Sequence, residues 1–331
     1  MRYPDLNIKE IYLSSPSFGC ATSYYKPRLD KAINNLEGQG FKIIKGPYIY
    51  SDGILSADPR LLGKEFMDAY KHNIFNLSVA GGEVMTDILD YIDFNELKSY
   101  KPSWFMGYSD NTNITFLLTT ITDVASIYGS CAPEFGSHRL GKSNIDHIKL
   151  LKGEVLSFDG YKRYEIKSLK SDDNPYAGLN LKAVSKISTY PAGIKSLSGR
   201  FIGGCIDVLS TIVGTRLDNM KEFNKKYDNI LFYFEACDMT PIEVYRRLIQ
   251  FKRAGWFDKS SGFAFGRPLI NTRMFDISYK DYIIRALADL NKPIIFDLDI
   301  GHVKPQIPVI NGAYANIEVN DNKYKITYEL K

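Results

Sequence analysis

Three residues of this chain have the types and settings that acyl-transfer chemistry needs: Ser109, Glu235 and His302. Ser109 stands in Gly107-Tyr108-Ser109-Asp110, where an apolar strand gives way at once to helical spacing. A serine on so sharp a strand-to-helix turn presents its hydroxyl and aims the following backbone N–H groups at whatever the hydroxyl attacks. The N–H of Asp110 is then a ready oxyanion donor, and the Gly81-Gly82 strand end could supply a second. His302 follows the apolar run Pro293 to Phe296, in Asp297-Leu-Asp-Ile-Gly-His302. An imidazole, with an ordinary pKa of about 6.5, suits a general base there. Glu235 closes the otherwise apolar Ile230-Leu-Phe-Tyr-Phe, where a carboxylate must find a partner or bear a large desolvation cost. Each residue also has a plainer reading: Ser109 or Asp110 as a helix N-cap, His302 as a structural histidine, Glu235 as an ion-paired core carboxylate. A serine hydroxyl attacks poorly without an adjacent base, and the base needs an acid to fix its tautomer. The chain offers one candidate for each role, in the order Ser, Glu, His.

These residues need a scaffold that ends strands near one another. Ile8 to Ser14 reads as a first strand, and Pro27 to Gln39 has helical apolar spacing at Leu29, Ala32, Ile33 and Leu36. Phe41 to Ile44 is a second strand, and Asp58-Pro59 caps a helix running to Lys71. Ile74 to Val79 and Ser103 to Met106 are further strands, with one or two helices from Asp87 to Ser99 between them and a helix from Asn111 to Thr120 after. Such alternation predicts a parallel sheet with helices on both faces and its active site at the carboxyl ends of the strands. Four of these ends are Ser14-Ser15, Gly81-Gly82, Gly107 to Asp110 and the Tyr128-Gly-Ser region. Between about residues 150 and 190 the pattern breaks into short alternating pieces, and Ser171-Asp-Asp-Asn-Pro175 is a strong loop signal. Two domains are expected, residues 1–160 with the serine and 161–331 with the glutamate and histidine. The second is mixed α/β: a helix Ile206 to Val213, strands at Ile230 to Glu235, Gly262 to Phe265 and Pro293 to Phe296, helices Pro241 to Ala254 and Tyr279 to Leu290, and two tail strands joined at Asn320-Asp-Asn.

Composition excludes several classes. The 331 residues are 44% hydrophobic and 24% charged, with a net charge of +4, too small and too scattered for a nucleic-acid footprint. No apolar run approaches the roughly 18 residues that span a bilayer, and the start lacks the core of a secretory signal, so a soluble cytoplasmic protein is expected. Cys20, Cys131, Cys205 and Cys237 lie far apart, as reduced buried thiols would, and no two histidines have zinc-ligand spacing. Neither metal nor cofactor is expected. Gly199-Arg-Phe-Ile-Gly-Gly204 lacks the spacing and the lysine-serine pair of a phosphate loop.

Taken in order, the blocks Ser14-Ser-Pro-Ser, Gly81-Gly82 with Leu89 to Asp93, Phe105 to Asp110, Gly199 to Gly204 with Leu209 to Thr215, Leu231 to Glu235 with Arg246 to Phe257, and Gly301-His302 resemble the LD-carboxypeptidase family of serine peptidases, which includes the microcin C self-immunity proteins. The resemblance spans nearly the whole chain. It implies a flavodoxin- or glutamine-amidotransferase-like N-terminal domain, a Ser109–Glu235–His302 triad split between domains, and an oxyanion hole from Asp110 and the Gly81-Gly82 turn, with Gly82 the favoured donor. It further implies a metal-independent cytoplasmic homodimer acting on a small peptide or peptidyl-nucleotide substrate. The long segment from Ser137 to Thr189 looks more like the immunity branch than the murein tetrapeptide carboxypeptidases. Glu83-Val-Met-Thr86 departs from the stretch typical of those carboxypeptidases. The chain departs from the immunity proteins too, lacking the loop tryptophan that stacks on the nucleobase there; Tyr161, Tyr164 or Tyr176 would have to serve instead. A binding protein that has lost turnover is the rival reading, against which the retention of all three triad residues argues.

Overall fold

The computed structural model describes residues 1–331. Its first five strands are β1 (Glu10–Ser14), β2 (Lys42–Lys45), β3 (Phe75–Ser78), β4 (Phe105–Gly107) and β5 (Ser126–Tyr128). They pair in parallel in the spatial order β2-β1-β3-β4-β5, the flavodoxin-like winding, whose topological switch lies between β1 and β3. Ligands of such sheets bind at the carboxyl ends beside that switch, and the turn after β3 is Gly81-Gly82. Asp58 caps the helix Pro59–Lys71 by accepting from the Arg60 N–H, as the Asp-Pro pair predicts. The helix after Ser109 runs from Thr112 to Thr122 and is almost wholly buried, because both sheets pack against it.

The second half contributes β6 (Ser157–Asp159), β7 (Arg163–Glu165), β8 (Leu181–Val184), β9 (Ser188–Tyr190), β10 (Ser196–Cys205), β11 (Ile230–Glu235), β12 (Ser260–Gly266), β13 (Ile294–Leu298), β14 (Val309–Asn311), β15 (Tyr314–Asn320) and β16 (Lys323–Glu329). Eight of these form a mixed sheet, β6-β16-β15-β10-β11-β12-β13-β9, with a parallel centre from β10 to β13 and antiparallel flanks. Strands β7 and β8 pair separately. All six residues of β11 are buried, as a central parallel strand covered on both faces requires.

One strand escapes the sequence pattern. β14 returns to the first sheet and pairs antiparallel with β5, Val309 opposite Tyr128, so a segment from the C-terminal half closes the N-terminal sheet. Two apolar residues between a proline and an asparagine give no periodicity to read, and their partner lies some 180 residues earlier. Both hydrophobic cores mix the halves: Trp104 and Tyr128 pack with Phe201 and Tyr233 in one, Phe105 and Phe116 with Phe232 and Trp256 in the other. No helix is long and apolar enough to cross a membrane.

Candidate active site

The carboxyl ends of β4, β11 and β13 converge and bring Ser109, Glu235 and His302 together. Tyr108 leaves β4 extended, and Ser109 then turns to φ +64°, a left-handed conformation that costs an L-residue on the order of 1–2 kcal/mol. Hydrogen bonds hold it there. The Ser109 N–H donates to the Tyr128 hydroxyl at 3.1 Å, and Asn111 Nδ2 donates to the carbonyls of Ala80 and Tyr108, both at 2.9 Å. The buried Asp110 carboxylate accepts from Ser17 Oγ (2.6 Å), the Met85 N–H (2.9 Å) and Asn113 Nδ2 (3.0 Å), which fastens the elbow to the neighbouring turns. Gly81 lies so close that a Cβ on it would sit 3.2 Å from Ser109 Oγ. The N–H groups of Gly81 and Gly82 donate to no acceptor within the protein.

His302 sits in the loop after β13. Its Nε2 is 2.9 Å from Ser109 Oγ and its Nδ1 is 2.8 Å from Glu235 Oε2. The tautomer these contacts favour has Nδ1–H donating to the carboxylate and Nε2 accepting from the serine hydroxyl. The other Glu235 oxygen accepts from the Tyr128 hydroxyl at 2.5 Å, so the fully buried carboxylate has a partner on each side. Tyr128 therefore joins the serine backbone to the glutamate through one hydroxyl. Gly301 has φ +95°, and a Cβ there would fall 2.4 Å from Glu235 Cγ; only glycine lets the histidine loop close over the carboxylate. Asp299 anchors that loop from below, accepting from Arg267 Nη1 (2.6 Å), the Tyr161 N–H (2.8 Å) and the Tyr324 hydroxyl (2.9 Å).

Electrostatics follow from this packing. Burial works against a charged His302, but the Glu235 carboxylate outweighs it and raises the imidazole above the ordinary histidine value. Burial likewise opposes the charge on Glu235, while His302, Tyr128 and Cys205 hold it below the usual carboxylate range. His147 is different: burial pushes it down to about 4, and its ring accepts from the Ser130 N–H and reaches the Ser143 carbonyl. It is a neutral structural histidine.

Ser109, His302, Gly81 and Gly82 open on a cavity of about 520 Å³, walled by the stacked rings of Tyr24 and Tyr25, 4.5 Å apart. The tyrosines named as possible stacking residues lie differently. Tyr161 is buried with its hydroxyl on Asp146, Tyr164 stacks on Arg267 and Tyr176 meets His138; none lines this cavity. Trp104 and Trp256 are core residues. Cys205, Glu235 and His302 place ligand atoms within 4.8 Å of one another, a spacing a metal ion could use, although the glutamate and histidine already bond each other.

Of the residues described here, Tyr128, Asp299 and Ser17 carry no sequence signal of their role. Tyr128 registers in the sequence only as a strand end, because its two partners come from another turn and another sheet.

The chain matches the LD-carboxypeptidase N-terminal domain over residues 11–129 and the LD-carboxypeptidase C-terminal domain over residues 198–317. A Vibrio cholerae protein named as a candidate carboxypeptidase is 25% identical over 327 residues, covering 96% of this chain and 94% of that protein. Among solved structures, the microcin C7 self-immunity protein in its wild-type apo state superposes with a TM-score of 0.83 at 22% identity, over 99% of this chain and 98% of that one. A MccF-like protein from Streptococcus pneumoniae in complex with AMP gives 0.80 at 19%, over 97% and 99%. A MccF-like protein from Bacillus anthracis gives 0.81 at 19%, over 99% of each chain.

Proposed function

We propose, from the premise that this chain belongs to the LD-carboxypeptidase family and is a serine-type amide hydrolase, that its catalytic residues are Ser109, His302 and Glu235. The observation that carries the reading is the unbroken relay from Ser109 Oγ through both ring nitrogens of His302 to Glu235, at 2.9 and 2.8 Å. Ser109 Oγ attacks the amide carbonyl while His302 Nε2 takes its proton. The backbone N–H groups of Asp110 and Gly82 receive the developing oxyanion, with Gly81 as the neighbouring donor. His302 then returns its proton to the leaving amine, and the acyl-serine is hydrolysed by the same steps with water as nucleophile. Glu235 stabilises the imidazolium and fixes its tautomer. The serine comes from residues 1–160 and its partners from 161–331, so the reaction takes place where the two domains meet.

The substrate we favour is a peptidyl-nucleotide of the kind the microcin immunity proteins handle. Solved relatives of the same fold hold AMP and sulfamoyl nucleosides, and the Tyr24–Tyr25 stack offers this chain an aromatic wall beside Ser109. A murein tetrapeptide is the second reading, favoured by the family description and by the Vibrio relative. Mass spectrometry of products from a murein tetrapeptide ending in D-Ala and from an aminoacyl-sulfamoyl-adenosine decides between them. Cleavage of the adenosine conjugate supports the first, release of D-Ala alone replaces it with the second, and binding without cleavage of either favours a non-catalytic binding protein. The same premise carries a homodimer, for which the exposed Ile166, Leu169, Leu181 and Val184 offer apolar surface; sedimentation as a monomer at micromolar concentration would remove it.

A further inference from the structure

The catalytic cavity adjoins a second recess of about 170 Å³, and Arg28, Glu134 and Lys170 line both. The recess is markedly cationic. Arg28, Arg139, Lys142, Lys170 and Lys304 border it, and Glu134 is the one carboxylate in its lining. Lys142 is spent on Asp146 at 2.8 Å, and Arg139 is exposed. The other three cations lie deeper.

Arg28 is buried, and its guanidinium donates through Nε and Nη1 to the carbonyls of Pro133 (3.0 Å), Pro175 (2.6 Å) and Ala177 (3.0 Å), neutral acceptors that leave its charge unpaired. Lys304 Nζ lies 2.7 Å from Glu134 Oε1 and 3.7 Å from the centre of the Tyr108 ring, and its other N–H bonds meet no acceptor. The ammonium of the half-buried Lys170 forms no ion pair and no hydrogen bond. Glu134 also accepts from the Tyr108 hydroxyl at 3.0 Å and from Gln306 Nε2 at 3.2 Å, leaving it little capacity for Lys170. Glu165, the other carboxylate that acts on Lys170, accepts from the Asn180 N–H at 2.6 Å. Burial resists the charge on Glu134, but Lys304 and Lys170 overcome it and hold its carboxyl at about 2. Three cations thus face one permanently ionised carboxylate.

An excess of partly desolvated positive charge is unfavourable unless an anion completes it. The loop Ser171 to Pro175, prominent in the sequence, follows Lys170 directly, and Arg28 ties it down through the Pro175 carbonyl. Lys170 is therefore held at the recess by a tethered loop and not by a partner of its own.

We propose that Lys170 and Lys304, with the charge of Arg28 behind them, form a subsite for an oxyanionic group, carboxylate or phosphate, on the substrate whose amide Ser109 attacks. The word substrate rests on the hydrolase reading above; the anion site does not. The test therefore uses the Ser109→Ala protein, which retains the recess, titrated with inorganic phosphate and separately with acetate while thermal unfolding and binding heat are followed. At least one anion should bind saturably. Lys170→Met in the same background should weaken that binding by about tenfold or more, and Lys170→Arg should restore most of it. Preference for phosphate assigns a phosphoryl group, and preference for acetate a carboxylate. No saturable binding of either anion, or equal affinity in Lys170→Met, overturns the subsite. Turnover of the two amide substrates by the wild-type enzyme is measured separately; its failure would remove the hydrolase reading and leave the anion result standing.

Discussion

The left-handed turn at Ser109 is where backbone strain and chemistry meet: the conformation that exposes the hydroxyl also gives its own N–H to Tyr128. That N–H is thereby taken and is not free to meet an oxyanion. Tyr128 touches the Ser109 backbone and the far side of Glu235 but lines no part of the cavity, which suits a positioning residue for the proposed triad. Tyr128→Phe leaves Glu235 Oε1 buried without a donor. A hydrogen bond to a charged group contributes about 1.5–3 kcal/mol, so kcat should fall roughly 10- to 100-fold with KM little changed and the pH midpoint displaced. An unchanged kcat and pH profile would count against the role. His302 must be neutral to take the serine proton, and Glu235 raises its pKa. The rate should therefore climb with pH through a midpoint above the ordinary value of about 6.5. A flat profile from about pH 5 to 9 would contradict the assignment. The stability linkage has the matching sign: a raised folded-state pKa stabilises below the unfolded value, and that contribution is lost as pH rises through the folded one. The meeting of Ser109, Glu235 and His302 was legible in the sequence because each closes or follows an otherwise apolar strand. Lys170, Lys304 and Glu134 were not, because their meaning lies in a charge balance among residues brought together from separate segments.

At the scale of elements, the strand that carries Glu235 runs from Ile230 to Glu235 as its apolar run predicts, and most other boundaries shift by one to three residues. Central parallel strands are readable because both faces are buried and the run is continuous. The loops that finish the site are less so, since their shape depends on contacts such as Arg267 with Asp299. The helix from Lys142 to Leu151 was also missed. Gly301 tests the histidine loop. Gly301→Ala must place a methyl against Glu235 at positive φ, and it should cost at least about 1 kcal/mol in denaturant melts together with a loss of activity. Wild-type stability and rate in that variant would show that the loop does not rest on the carboxylate.

For the whole molecule, β14 and the two mixed cores bind the halves into one structure. Thermal or denaturant unfolding should be a single transition, the same by fluorescence and by circular dichroism. Two resolved transitions would mean that the halves fold independently despite the shared sheet. The alternation of strands and helices made the first sheet's parallel pairing legible, but the return of β14 was hidden by its brevity and by the distance to its partner. That same interleaving lets a serine from one sheet meet a glutamate and a histidine from the other at hydrogen-bond distance. The role of Ser109 is read most directly from kcat/KM of Ser109→Ala against wild type on whichever amide substrate the wild type cleaves, with circular dichroism on both. An unchanged fold and a loss of at least about a thousandfold are expected. A correctly folded Ser109→Ala enzyme with near-wild-type turnover would rule out Ser109 as the nucleophile.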